Sequence, residues 1–110
     1  MGHDIRAYLG RTDPIDLVSV ATVDERGKEI AYARVGARDL YEPLDAQFYD
    51  GKVSGIGIGR WFTREQLRVA LRRLWPRRRE YLEVREAIRF LLTCLRRLPP
   101  DRRALYIDFG

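Results

Sequence analysis

TREQLRVALRRLWPRRREYLEVREAIRFLLTCLRRLPPDRRALYIDF, residues 63–109, is the stretch that decides the fold. Thr63 and Gln66 stand three apart just ahead of an apolar run. That is a capping-box pattern, in which hydroxyl and amide satisfy helix-start N–H donors reciprocally. Leu67, Ala70, Leu71 and Leu74 then recur at helical spacing and form one stripe, while Arg64, Arg68 and Arg72 lie four apart on another side. Pro76 limits this helix, and a second follows to about Leu98. Its stripe is Tyr81, Val84, Ile88, Leu91, Leu95 and Leu98, widened by Phe90 and Leu92. Glu80, Glu83 and Glu86 near its start and Arg96 and Arg97 near its end suit the helix dipole. Pro99-Pro100-Asp101 stops it. Ala104 to Phe109 alternates, which predicts a final strand burying Leu105, Ile107 and Phe109 and turning Tyr106 and Asp108 outward.

Upstream, Ile5, Tyr8 and Leu9 stand at helical spacing and Gly10 closes them, predicting a short N-terminal helix. Residues 17–23 (LVSVATV) are rich in β-branched side chains and predict a strand, and residues 29–35 (EIAYARV) predict its return. Between them Asp24-Glu25-Arg26-Gly27 supplies a turn whose glycine can adopt positive φ. Residues 36–45 read as a loop with at most one helical turn. Ala46 to Tyr49 and Lys52 to Ser54 flank Asp50-Gly51, a strong hairpin signal, and the second arm runs on through Gly55, Gly57 and Gly59. Strands first and helices after them indicate α+β. The expected fold is a mostly antiparallel sheet of about five strands, built from two hairpins plus the C-terminal strand. Two long helices pack on one face, beside a short N-terminal helix, and residues 1–110 form one domain.

Composition narrows the function classes. An apolar fraction of 45% with two Trp, six Tyr and four Phe suffices for a core. No apolar stretch approaches the roughly 18 residues of a membrane span, and the polar opening Met1-Gly2-His3-Asp4 does not read as a secretory signal. The lone Cys94 precludes an intrachain disulfide, which suits a cytoplasmic setting, and its place between leucines reads as core packing. The absence of Asn, with two Gln and one Met, resembles the composition of heat-adapted proteins. Charge is divided unevenly. Residues 1–59 hold 7 Lys+Arg against 10 Asp+Glu, net −3, and residues 60–110 hold 14 against 6, net +8.

Three candidate sites follow. The first is the cluster Arg72, Arg73, Arg77, Arg78 and Arg79 around Pro76, where guanidinium groups suit phosphate oxygens and nearby aromatics suit bases. Trp75 beside it is expected in the core. The second is the start of the residue-63 helix, where Gly57, Gly59, Arg60, Thr63 and Arg64 would offer a phosphate site. Its glycines match neither the dinucleotide fingerprint nor the P-loop, so close packing of a strand is the favoured reading there. The third is a sheet face carrying Tyr32 and Tyr106, which would serve as a homodimer contact. No catalytic residue, cofactor or metal site is assigned. His3 is the only histidine, and the acids Asp39, Glu42, Asp45 and Asp50 read as ordinary loop residues. The leading expectation is a non-enzymatic interaction or homodimeric domain, with nucleic-acid binding at the Arg72–Arg79 corner as the alternative. Binding of a phosphorylated small molecule near Gly55 to Arg64 comes third.

Overall fold

The computed structural model describes residues 3–18, 20–35, 39–40, 42–44 and 60–109. In chain order these form β1 (His3–Leu9), a one-turn helix α1 (Val23–Arg26), β2 (Lys28–Val35), β3 (Arg60–Thr63) and α2 (Arg64–Leu74). A 3-10 turn (Trp75–Arg77), α3 (Leu82–Arg97) and β4 (Ala104–Asp108) complete the order. Four strands make one antiparallel sheet in the order β2-β1-β4-β3. The architecture is α+β, with four strands among the described residues where about five were expected. The expected hairpin around Asp50-Gly51 lies outside those residues.

The C-terminal half follows most of its sequence pattern, although Tyr81 and Leu92, expected on the apolar stripe of the second helix, are exposed. Thr63 caps α2 as its spacing predicts, its hydroxyl accepting from the Gln66 N–H while the Gln66 side chain accepts from the Thr63 N–H at 2.8 Å. Leu67, Ala70 and Leu74 are fully buried beneath that helix, and Val84, Ile88 and Leu91 beneath α3. Arg64 reaches from the first turn of α2 to the end of α3, donating to the Leu98 and Pro99 carbonyls at 2.9 Å each. A cation there satisfies helix-end acceptors and complements the dipole. Strand β4 lies between β1 and β3, with Leu105, Ile107 and Phe109 buried against the helices.

The N-terminal half differs from expectation. Residues 3–9 are a strand, not a helix: Ile5 and Ala7 are buried while Asp4, Arg6 and Tyr8 lie on the other face. A helix of that length is marginal alone, whereas β1 gains backbone partners on both edges, from β2 and from β4. The described residues of 17–23 are not a strand. Ala21 is buried over the sheet with Trp61, Ala104 and Tyr106, whereas Val18 and Val20 face solvent. The segment's hydrogen bonds go elsewhere: Thr22 and Glu25 form a second capping box that starts α1. The antiparallel partner of β2 is therefore β1. Gly27 does take positive φ, at 75°, where it lies against the Leu9 carbonyl.

Two aromatic placements are reversed. Trp75 is half exposed and Trp61 is buried, its ring 5.1 Å from that of Tyr106. Trp75 stands one residue past Leu74, and a step of about 100° along the helix carries it off the apolar stripe. Tyr106, expected to face outward, is 1% exposed because the 11–26 segment covers that part of the sheet.

Candidate functional site

The arginine cluster sits where α2 ends, turns through Pro76 and enters α3, and four of its five members have partners, each a different one. Arg72 pairs with Glu65 at 3.1 Å. Arg73 donates to the Pro43 carbonyl at 3.0 Å and so pins the 42–44 segment to α2. Arg77 pairs with Glu80 at 3.2 Å and donates to the Tyr81 hydroxyl at 3.0 Å. The Glu80 hydrogen bond raises the Arg77 pKa further, so this charge is permanent and already compensated. Arg78 donates to the Trp75 carbonyl at 2.9 Å and lies over the indole at 4.9 Å. Arg79 is exposed and has no hydrogen-bond or ion-pair partner among the described residues.

Trp75, Arg78, Arg79, Arg85 and Ile88 line a surface depression of about 320 Å³. Arg85, one turn into α3, also lacks a partner among the described residues and is not one of the candidates drawn from the sequence. Its position seven residues after Arg78 was the available signal, but only the turn at Pro76 brings the two to one depression. The resulting site has an aromatic ring half open to solvent, three guanidinium groups and no lining carboxylate. Such a set can accept phosphate oxygens on its rim and a planar ring on its floor.

At the start of α3, Tyr81 donates to the buried carboxylate of Asp39 at 2.9 Å. That hydrogen bond raises the Tyr81 pKa, so the phenol stays protonated and keeps donating. With Arg73 it fastens Asp39 and Pro43 to the corner. Asp39 thus has a structural partner, and Asp45 and Asp50 lie outside the described residues. Among the described residues no group of three or more His, Cys, Asp or Glu is placed to hold a metal ion.

At the start of α2, Gly57 and Gly59 are outside the described residues. The Thr63 hydroxyl is engaged in its cap and Arg64 in the two carbonyls at the end of α3. Arg60, at the start of β3, is exposed. On the sheet face, Tyr32 is half exposed and donates to Asp4 at 2.6 Å, with Arg6 over its ring at 4.9 Å. Arg6 pairs in turn with Glu29 at 3.2 Å, so this patch balances its own charge. Tyr106 does not join Tyr32 at a surface. It lies beneath Arg26, whose guanidinium is 5.4 Å from the Tyr8 and Tyr106 rings and 2.9 Å from Asp108. Cys94 is fully buried, and desolvation pushes its thiol well above the ordinary range, leaving no reactive thiolate.

Family models, curated proteins and solved structures yield no match to this chain. No helix among the described residues is long and apolar enough to cross a membrane.

Proposed function

We propose that this chain binds single-stranded nucleic acid at the α2–α3 corner, without covalent chemistry. The observation that carries the reading is the half-exposed indole of Trp75 in a depression rimmed by Arg78, Arg79 and Arg85, the last two without an acidic partner among the described residues. Each part has a role. Trp75, with Arg78 already over it, offers a stacking platform for an unpaired base. Arg79 and Arg85 are free to take phosphate oxygens bidentately. A duplex fits less well, because its bases are stacked on both sides and present no open ring face.

The site differs from the corner expected at Arg72–Arg79. Arg72, Arg73 and Arg77 support it from partnered positions, and Arg85 replaces them at the rim. The homodimer reading through Tyr32 and Tyr106 ranks lower, because Tyr106 is covered and Tyr32 already has its hydrogen-bond partner. The phosphorylated-metabolite reading ranks lower again, since Thr63 and Arg64 are committed to helix ends.

Fluorescence-anisotropy titration of a short labelled single-stranded oligonucleotide tests the proposal. Stacking contributes about 1–3 kcal/mol per base, so Trp75→Ala should weaken binding roughly 5- to 150-fold. Equal binding by wild type and Trp75→Ala, or no binding at low salt, would dispose of it.

A further inference from the structure

Among the described residues, nearly all exposed large apolar side chains fall into two groups. One is a ledge in the segment ahead of β2: Ile15 is fully exposed, Val18 88%, Val23 77% and Val20 58%. The other is the corner itself, with Trp75, Tyr81 and Leu82. Four solvent-facing aliphatic side chains thus fall within nine residues, Ile15 and Val20 lining one groove and Val18 and Val23 lining two other depressions.

The ledge borders a groove of about 570 Å³ floored by Trp61 and Ala21. Asp13, Asp16, Asp24 and Glu25 line it against a single base, Arg11. The corner has the opposite character, three arginines and no carboxylate around its indole. Charge decides how two copies can meet. Asp13 is already paired with Arg102, so ledge against ledge sets Asp16, Asp24 and Glu25 against their copies, and corner against corner sets three guanidinium groups against three; both repel. Ledge against corner pairs opposite charges and covers both apolar groups at once.

We infer that the acidic ledge of one copy receives the arginine corner of a second copy, with Trp75 entering the groove and Arg79 and Arg85 facing Asp16 and Asp24. Trp61 and Tyr106 alternate with Phe62 and Leu105, which pack under the helices, so the ledge covers the sheet face opposite the helix layer. The ledge lies on the sheet face opposite the helices and the corner at the junction of the two helices, so one pair of copies does not engage both patches reciprocally, and the contact is heterologous. It propagates into a ring or a filament and does not close as a two-fold pair. The contact engages the corner used in the nucleic-acid reading but does not depend on that reading, and bound single strands would compete with it.

Two variants test the inference. Ile15→Asp/Val18→Asp breaks the ledge and leaves the corner. Arg79→Glu/Arg85→Glu breaks the corner and leaves the ledge. All four positions are exposed, so circular dichroism should show both variants folded. In sedimentation velocity at low salt, wild type should form concentration-dependent species larger than a dimer, dissolving at high salt. Each variant alone should sediment as a monomer. Their equimolar mixture should form a one-to-one dimer and nothing larger, because it contains one intact corner and one intact ledge. A monomeric mixture, a monomeric wild type, or a variant that associates alone would overturn the proposal. Oligonucleotide binding separates the two readings. The ledge variant keeps or gains affinity for the oligonucleotide if the nucleic-acid site stands, since the competing self-contact is removed.

Discussion

Replacing Arg79 and Arg85 together by Ala tests how many charges the corner contributes to nucleic-acid binding, and the structure sets the size of the effect. Arg72 and Arg77 spend their charge on Glu65 and Glu80, and Arg73 on a backbone carbonyl, which leaves Arg78, Arg79 and Arg85 for phosphates. Each phosphate neutralised on a single strand contributes about −0.7 to the slope of log K against log salt, so three give about −2.1 and Arg78 alone about −0.7. Raising salt fourfold, from roughly 50 to 200 mM, should then weaken wild type about 18-fold and the double variant only about 2.6-fold. The assay is the same anisotropy titration at four or more salt concentrations. Both positions are solvent-exposed, so the variant's thermal midpoint should stay near that of wild type. A double variant with the wild-type slope would move the phosphate contacts elsewhere. A wild-type slope near zero would remove them altogether.

The remaining predictions concern stability. Gly27→Ala places a methyl group on a backbone at φ 75°, 2.3 Å from the Leu9 carbonyl oxygen, where neither backbone segment can yield freely. A loss of at least about 2 kcal/mol, or roughly 8 °C in the midpoint, is expected in thermal unfolding, and a change under about 2 °C would refute the strain. Asp13 governs part of the acid limb. Burial works to raise its pKa, but hydrogen bonds from the Arg103 N–H and the Arg102 guanidinium outweigh that and hold it below the usual carboxylate range. A depressed folded pKa means that stability is present above the unfolded value and lost as pH falls through the folded one. Urea unfolding should therefore show wild type losing more stability between pH 6 and pH 3 than Asp13→Asn does; parallel losses would show that the carboxylate is not coupled to folding.

Much of the C-terminal half was legible because its signals are local. The Thr63–Gln66 cap, the stripe from Val84 to Leu91 and the alternation of Leu105, Ile107 and Phe109 depend on neighbours within a few residues. A local signal was also overlooked: Thr22 and Glu25 have the same capping spacing as Thr63 and Gln66, but the β-branched run around them suggested a strand. The candidate site was half legible. Its cluster of arginines was visible, but which of them are free was not, since that depends on Glu65, Glu80 and Pro43 being in reach.

Local patterns of residues set two amphipathic helices, a terminal strand burying one face against them, an uneven division of charge and a glycine that takes positive φ. Tertiary structure decided the rest. It made residues 3–9 a central strand, buried Trp61 and Tyr106 while leaving Trp75 open, and brought Arg85 to the depression beside Arg79. The physical reason is separation along the chain. Arg26 finds Asp108 across 82 residues and Arg102 finds Asp13 across 89. No periodicity within either segment records a partner that distant.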